Sequence, residues 1–109
     1  MADVLGTFEQ AVLLSVLKLR DEAYGRSVLR AVGDTLQRDV SAGAVYATLE
    51  RLEGKGMLRS RLGEGTPVRD GRPRKYYKVT RAGVEALNDT REALEQIWKG
   101  ASWPLPWPA

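Results

Sequence analysis

The stretch SAGAVYATLERLEGKGMLRSRLGEGTPVRDGRPRKYYKVT, residues Ser41–Thr80, decides the fold because it joins a helix pattern to two strand patterns. Ser41 is a residue type that favours the N-cap of a helix. Lys55 and Gly56 suit the end of that helix, since a cation complements the helix dipole and glycine tolerates the left-handed position. The side of this helix that faces the core carries apolar residues at helical spacing, namely Val45, Leu49 and Leu52.

The second half of the same stretch predicts a β-hairpin. MLRSRLG and RKYYKVT each alternate between two faces, and a Gly- and Pro-rich connection separates them. Tyr77 and Val79 are expected to anchor the hairpin to the core, with Gly65–Gly71 as its flexible tip. Thr80 then favours the N-cap of a following helix.

Helices are also predicted on both sides of this stretch. Leu5–Leu19 has a wide apolar face. Asp21 is the expected N-cap of a second helix, whose apolar face extends to Leu36 and which frays into a turn within VGDTLQRD, residues 32–39. The helix after Thr80 runs to about Lys99. Its narrow apolar seam indicates pairing with another helix and consists of Gly83, Leu87, Thr90, Leu94 and Ile97. The tail ASWPLPWPA contains three prolines and is expected to be non-helical.

The order helix, helix, helix, hairpin, helix is typical of a winged helix-turn-helix. The fold class is therefore α+β, mainly α with a small β-hairpin. We expect a winged helix-turn-helix DNA-binding domain at residues 1–80, a C-terminal dimerisation helix at 81–99, and a Pro/Trp-rich tail at 100–109.

The amino-acid composition excludes several classes of function. The 109 residues include no cysteine and no histidine, so the common nucleophile–base pairs and most transition-metal sites cannot be built. We therefore expect no enzyme and no cofactor. No secretion signal or apolar run of roughly 18 residues is present, so a cytoplasmic protein without a membrane partner is expected.

The quarter from Arg51 to Lys78 carries nine basic and three acidic residues, although the whole chain has a net charge of only +3. Such a concentration of positive charge indicates a polyanionic partner, with nucleic acid the first candidate.

Three motifs make the chain resemble a known family. DEAYGRSVLRAV, VSAGAVYATLERLEGKGMLRSRLGE and GRPRKYYKVTRAG occur in the order found in the PadR family of bacterial transcriptional regulators. The resemblance covers roughly Leu5 to Trp98. It implies a homodimeric repressor that binds double-stranded DNA at a palindromic operator. Family members often release DNA on binding a small aromatic or lipophilic effector.

The resemblance also implies the site residues. The DNA-facing part of the third helix carries Ser41, Gly43, Ala44, Tyr46 and Ala47, and the basic hairpin carries Arg72, Arg74 and Lys75. Arg51, on the exposed side of the third helix, is a further expected DNA contact. Many relatives have a hydroxyl residue near Ala44 and a proline near Ala47, so base preference cannot be carried over to this chain. Dimerisation is assigned to Leu87, Leu94, Ile97 and Trp98.

Two points stay open at this level. Trp98 can fill a dimer core, or it can stack on a planar effector between subunits, as aromatic residues do in some relatives. A winged helix can also serve as a protein–protein interaction module without sequence-specific DNA binding. The basic hairpin favours DNA binding over that alternative, because an interaction module needs no such charge.

Overall fold

The computed structural model describes residues 4–67 and 73–108, with the backbone alone at 64–67. Four helices and one two-stranded antiparallel sheet follow each other in the predicted order. They are α1 (Thr7–Leu19), a single 3₁₀ turn (Arg20–Glu22), α2 (Gly25–Leu36), α3 (Ala42–Gly54), β1 (Leu58–Pro67), β2 (Pro73–Val79) and α4 (Arg81–Trp98). This is a winged helix-turn-helix followed by a C-terminal helix. No helix among the described residues is both long and apolar enough to cross a membrane.

The core lies between α1, α2 and α3 and is closed by the hairpin. Its fully buried side chains are Val12, Leu13, Val16, Val28, Val32, Val45, Leu49, Leu52 and Leu58. On α1 the predicted wide apolar face is only partly buried, because Leu14 and Leu17 remain about 40% exposed (39% and 41%). These two leucines point away from the core of their own chain.

The prediction that Asp21 caps the second helix is wrong. Arg20–Glu22 form a 3₁₀ turn, and α2 begins only at Gly25 with Tyr24 as its N-cap. The hydroxyl of Ser27 accepts a hydrogen bond from the Tyr24 N–H at 2.9 Å, which satisfies a free donor at this helix start. Asp21 instead lies 4.0 Å from the ammonium group of Lys78 on β2.

The second helix ends within the predicted stretch, residues 32–39. It continues through Gly33 to Leu36, and Gln37 ends it in the left-handed conformation with φ of 53°. The Arg38 N–H then donates to the Gly33 carbonyl at 3.2 Å. A side chain at Gly33 would crowd the Arg38 carbonyl oxygen, since a Cβ there would lie 3.3 Å away. Gly33 therefore permits the close return of the chain after the helix rather than breaking the helix.

Both caps predicted from the deciding stretch are confirmed. The Ser41 hydroxyl accepts from the Ala44 N–H at 3.0 Å, and the Thr80 hydroxyl accepts from the Gly83 N–H at 3.2 Å. Gly56 follows α3 with a positive φ of 80°, as expected for a glycine after a helix end. The Thr80 N–H donates to the Met57 carbonyl at 3.0 Å, so the start of α4 is fixed beside the end of α3.

The hairpin has the predicted strands, but β1 is longer than expected. Leu58 pairs with Val79 and Ser60 with Tyr77, which places Tyr77 and Val79 against the core. Because β1 runs to Pro67, the first part of the segment predicted as a flexible tip belongs to a strand. The rest of that tip, and Arg72, lie outside the described residues.

The idea of one continuous pairing seam along α4 is wrong for its first half. Gly83 packs on Met57 and Val79, and Leu87 packs against the core of its own chain. The buried Thr90 hydroxyl accepts from the Leu5 N–H at 3.0 Å and donates to the Ala86 carbonyl at 2.7 Å. The first three turns are thus used within the chain, because the apolar spacing of a helix does not reveal which neighbour it meets.

Candidate nucleic-acid interface

The exposed face of α3 carries mostly small residues in its first half, whereas Glu50 and Arg51 are exposed in its second half. Val45, Leu49 and Leu52 bury one side of the helix in the core, which leaves the other side to solvent. All five residues expected to face DNA are exposed, namely Ser41, Gly43, Ala44, Tyr46 and Ala47. No other atom lies within 4 Å of the place that a Cβ at Gly43 would occupy, apart from the helix itself. A partner can therefore approach the backbone of the first turn closely.

Tyr46 is the one large side chain in the first half of this face. It is 46% exposed, and its ring rests against the start of α2. A Cβ on Gly25 would lie only 2.5 Å from Cε1 of Tyr46, so the absence of a side chain at Gly25 makes room for the ring. The position of Tyr46 on the surface is therefore set by α2 as well as by its own helix.

The second half of α3 is electrostatically tied to α1. The Glu9 carboxylate lies 3.7 Å from Nε of Arg51 and 3.6 Å from Nζ of Lys55. The side chain of Glu9 is only 17% exposed, whereas those of Arg51 and Lys55 are about half exposed. Glu9 thus offsets part of the positive charge here, and the role of Arg51 in DNA contact stays a prediction.

Lys75 on β2 forms an ion pair with α3. Its Nζ lies 3.3 Å from Oε1 of Glu53, while the Ser60 hydroxyl donates a hydrogen bond to Oε2 of the same carboxylate. The hydrogen bond from Ser60 is the main cause that holds the pKa of Glu53 below its usual value, and the neighbouring Lys75 lowers this pKa further. The hydrogen bond to Glu53 in turn raises the pKa of Lys75. Lys75 therefore joins the hairpin to α3, and its predicted contact with phosphate would compete with Glu53.

Arg74 and Arg61 are held by aromatic rings instead of carboxylates. The guanidinium of Arg74 lies 4.2 Å from the centroid of Tyr24, and that of Arg61 lies 4.8 Å from the centroid of Tyr76. Neither arginine forms an ion pair with another described residue. No carboxylate of the described residues neutralises their charge, which is thus positioned by the rings.

The far end of α4 forms a separate apolar region. Leu94 and Ile97 are 51% and 73% exposed, and the half-buried Trp98 meets Trp103 of the tail edge-to-face at 5.8 Å between ring centroids. The tail and α4 form the walls of an open cleft of about 340 Å³. It is lined by Arg91, Leu94, Glu95, Trp98, Ala101 and Trp103. The tail is non-helical, as predicted.

Sequence reasoning missed the groups that position the cations. Glu9, Glu53 and Tyr24 belong to three different elements and come next to the basic residues only in the folded chain. The one local signal is the Tyr24-Gly25 pair, because a glycine at the start of a helix suggests close approach of another group.

Comparison with known proteins identifies the family. Residues 13–89 match the Transcriptional regulator PadR-like family. The chain belongs to this family. The members of this family are transcriptional regulators rather than enzymes. In the described part of the chain, no three or more carboxylates come close enough together to hold a metal ion.

Individual relatives agree with the family. Transcriptional regulator Rv3488 of Mycobacterium tuberculosis is 47% identical over 58 residues, which cover 53% of this chain but only 50% of that protein. A PadR family transcription regulator from Clostridium difficile R20291 is 25% identical, with a TM-score of 0.67 over 86% of this chain and 93% of its own. A PadR family regulator from Eggerthella lenta is 29% identical, with a TM-score of 0.64 over 82% and 75%.

Proposed function

We propose that this PadR-like regulator is a homodimeric repressor that binds double-stranded DNA at a palindromic operator. The observation that carries the proposal is the exposed first half of α3, which has small residues around Tyr46 and an open Gly43. A helix with such a face fits closely into a major groove, where Tyr46 reaches a base edge or phosphate. Ala44 and Ala47 offer only apolar contacts, such as to a thymine methyl group.

The hairpin supplies the contacts to the DNA backbone. Arg74 and Arg61 carry charge that no described carboxylate neutralises, and Arg72 is assigned to the same role by its position in the sequence. Contacts of this kind attract any DNA sequence and fix the orientation of the protein, while α3 supplies the discrimination between sequences.

Dimerisation is assigned to the second half of α4. Leu94 and Ile97 are exposed there, although apolar residues at helical spacing usually pack against another helix. A second copy of the chain would bury them together with Trp98. The two-fold axis of such a dimer requires half-sites about one DNA turn apart, roughly 10 bp, or a simple multiple of that.

The cleft between α4 and the tail is the proposed effector site. Trp98 and Trp103 provide aromatic faces and Leu94 an aliphatic wall, which suits a small aromatic or lipophilic compound. Because Leu94 and Trp98 belong both to this cleft and to the proposed dimer contact, a bound compound would lie between the two subunits, change how they pack and thereby alter the spacing of the two α3 helices.

A salt titration tests DNA binding directly. Fluorescently labelled DNA from upstream of the gene itself and random DNA of the same length would be titrated with the protein at 50–200 mM salt. With about six to ten phosphate contacts per dimer, affinity should fall about 10³–10⁵-fold over this range. Arg74→Ala should weaken binding to both DNAs similarly and reduce the salt slope by about one for each phosphate that the arginine no longer neutralises. A flat salt response would instead favour a protein–protein interaction module.

A further inference from the structure

The start of α2 touches both parts of the proposed DNA interface. Tyr24 is the N-cap residue of α2, and its ring lies beneath the guanidinium of Arg74 at 4.2 Å. The next residue, Gly25, lies against the ring of Tyr46 on α3. Two consecutive residues thus contact the hairpin on one side and the exposed face of α3 on the other.

The backbone just before α2 is hydrogen-bonded to β2 of the hairpin. The Ala23 carbonyl accepts a hydrogen bond from the Tyr77 N–H at 2.8 Å, and Tyr24 forms an antiparallel bridge with Tyr76. The rings of Tyr24 and Tyr76 also meet edge-to-face, with centroids 5.7 Å apart and planes inclined at 71°. The hairpin therefore cannot shift relative to α2 without breaking these contacts.

The ring of Tyr24 also restricts Arg74 itself. A free arginine side chain on a strand samples many rotamers, and ordering it on DNA costs conformational entropy. A guanidinium stacked on an aromatic face is already ordered, while its N–H groups stay available at the edges. This arrangement favours the binding of a phosphate at a fixed place.

We infer that Tyr24 is a positioning residue for DNA binding, which holds Arg74 at a set distance from Tyr46. The inference rests on the proposed function and deepens it. The Tyr24-Gly25 pair thus fixes the distance between the phosphate contact of the hairpin and the groove contact of α3. The start of α2 then acts on DNA recognition without touching a base.

A double-mutant cycle in DNA binding tests the inference. Tyr24→Leu keeps an apolar side chain but removes the aromatic face. It should weaken binding about three- to tenfold, as expected when one long side chain has to be ordered at the moment of binding. In the Arg74→Ala background the same change should have little further effect, because the group that it positions is gone. Tyr24→Phe keeps the face and should bind within about twofold of the wild type.

Arg51→Ala provides the matched control, since Arg51 is paired with Glu9 and not with Tyr24. The effects of Tyr24→Leu and Arg51→Ala should simply add. Wild-type-like binding by Tyr24→Leu, or an effect that also adds to that of Arg74→Ala, would overturn the positioning role. A wild type that shows no salt-sensitive DNA binding at all would instead refute the proposed function.

Circular dichroism would show whether Tyr24→Leu folds. If it does not, NMR of the wild-type protein tests the same inference. Stacking on a ring shifts the NMR signals of the Arg74 side-chain protons upfield, and Tyr24→Phe should retain that shift. Side-chain signals of Arg74 at random-coil positions in the wild type would show that Tyr24 does not hold it.

Discussion

Gly43→Ala separates the contribution of Gly43 to folding from its contribution to DNA binding. Gly43 lies in the first turn of α3, is exposed, and has open space where a Cβ would be added. Glycine within a helix costs about 0.5–1 kcal/mol relative to alanine. Taking about 0.5 kcal/mol for a first turn, we expect the free energy of unfolding to rise by that amount. For a domain of this size the melting temperature would then rise by about 2–4 °C.

DNA affinity should change in the opposite direction. If the first turn of α3 lies against base edges, the added methyl group occupies space that the DNA needs. We expect about tenfold weaker binding to the specific site, or about 1.4 kcal/mol, which lies within the range for one good base contact. Binding to random DNA should change less, since contacts with phosphates carry that interaction.

Gly54→Ala is the matched control. Gly54 is also exposed, also on α3 and also without neighbours at the Cβ position, but it lies at the opposite end of the helix. Thermal unfolding and fluorescence anisotropy with labelled DNA would be measured for both variants. Both should be at least as stable as the wild type, and only Gly43→Ala should bind DNA more weakly. Equal affinity of the two variants for the specific site would refute the placement of the first turn of α3 in the groove.

Three further predictions concern other parts of the chain. Gly83→Ala should lower the stability by about 1–3 kcal/mol, seen as a drop in melting temperature, because its Cβ would overlap the Met57 carbonyl oxygen; an unchanged melt would contradict this packing. The pKa of Glu53 is lower in the folded chain than in the unfolded chain. Glu53 therefore stabilises the fold at pH values above its pKa in the unfolded chain, and this stabilisation is lost as the pH falls through its pKa in the folded chain. Melts from pH 6 to 3 should therefore show the difference between wild type and Glu53→Gln shrinking with acidification, whereas a constant difference would exclude this origin. If the proposed dimer forms through this part of α4, Ile97→Glu should be monomeric in light scattering while Gln96→Glu should stay dimeric. A dimeric Ile97→Glu would remove this part of α4 from the interface.

The features predicted well from sequence are those set by local chemistry. Ser41 and Thr80 cap their helices through hydroxyl groups three residues from the amide that they satisfy, so both starts are readable from the sequence. The strands follow from alternation, and the order of elements then leads to the winged helix-turn-helix. The exposed positions on α3 also follow, because the apolar spacing of the helix identifies its buried side.

The features that were not predicted depend on contacts between distant segments. Asp21 and Ser27 are both acceptable at a helix start, and only the folded chain shows that the Ser27 hydroxyl serves the Tyr24 amide. The spacing of α4 indicates an apolar seam but not that Thr90 turns inward to meet Leu5. Charge counting likewise identified Lys75 as basic without showing that Glu53 lies beside it.

Because the tryptophans cluster at one end of the chain, their intrinsic fluorescence reports on a single region of the protein. Trp98, Trp103 and Trp107 are the only three tryptophans, and all lie at the end of α4 or in the tail. Excitation at the red edge of the indole band therefore monitors this region alone, and the face of α3 contributes no signal. An emission change on adding DNA would show that DNA binding alters the surroundings of these tryptophans. The response of the end of α4 and of the tail can thus be observed without attaching a dye.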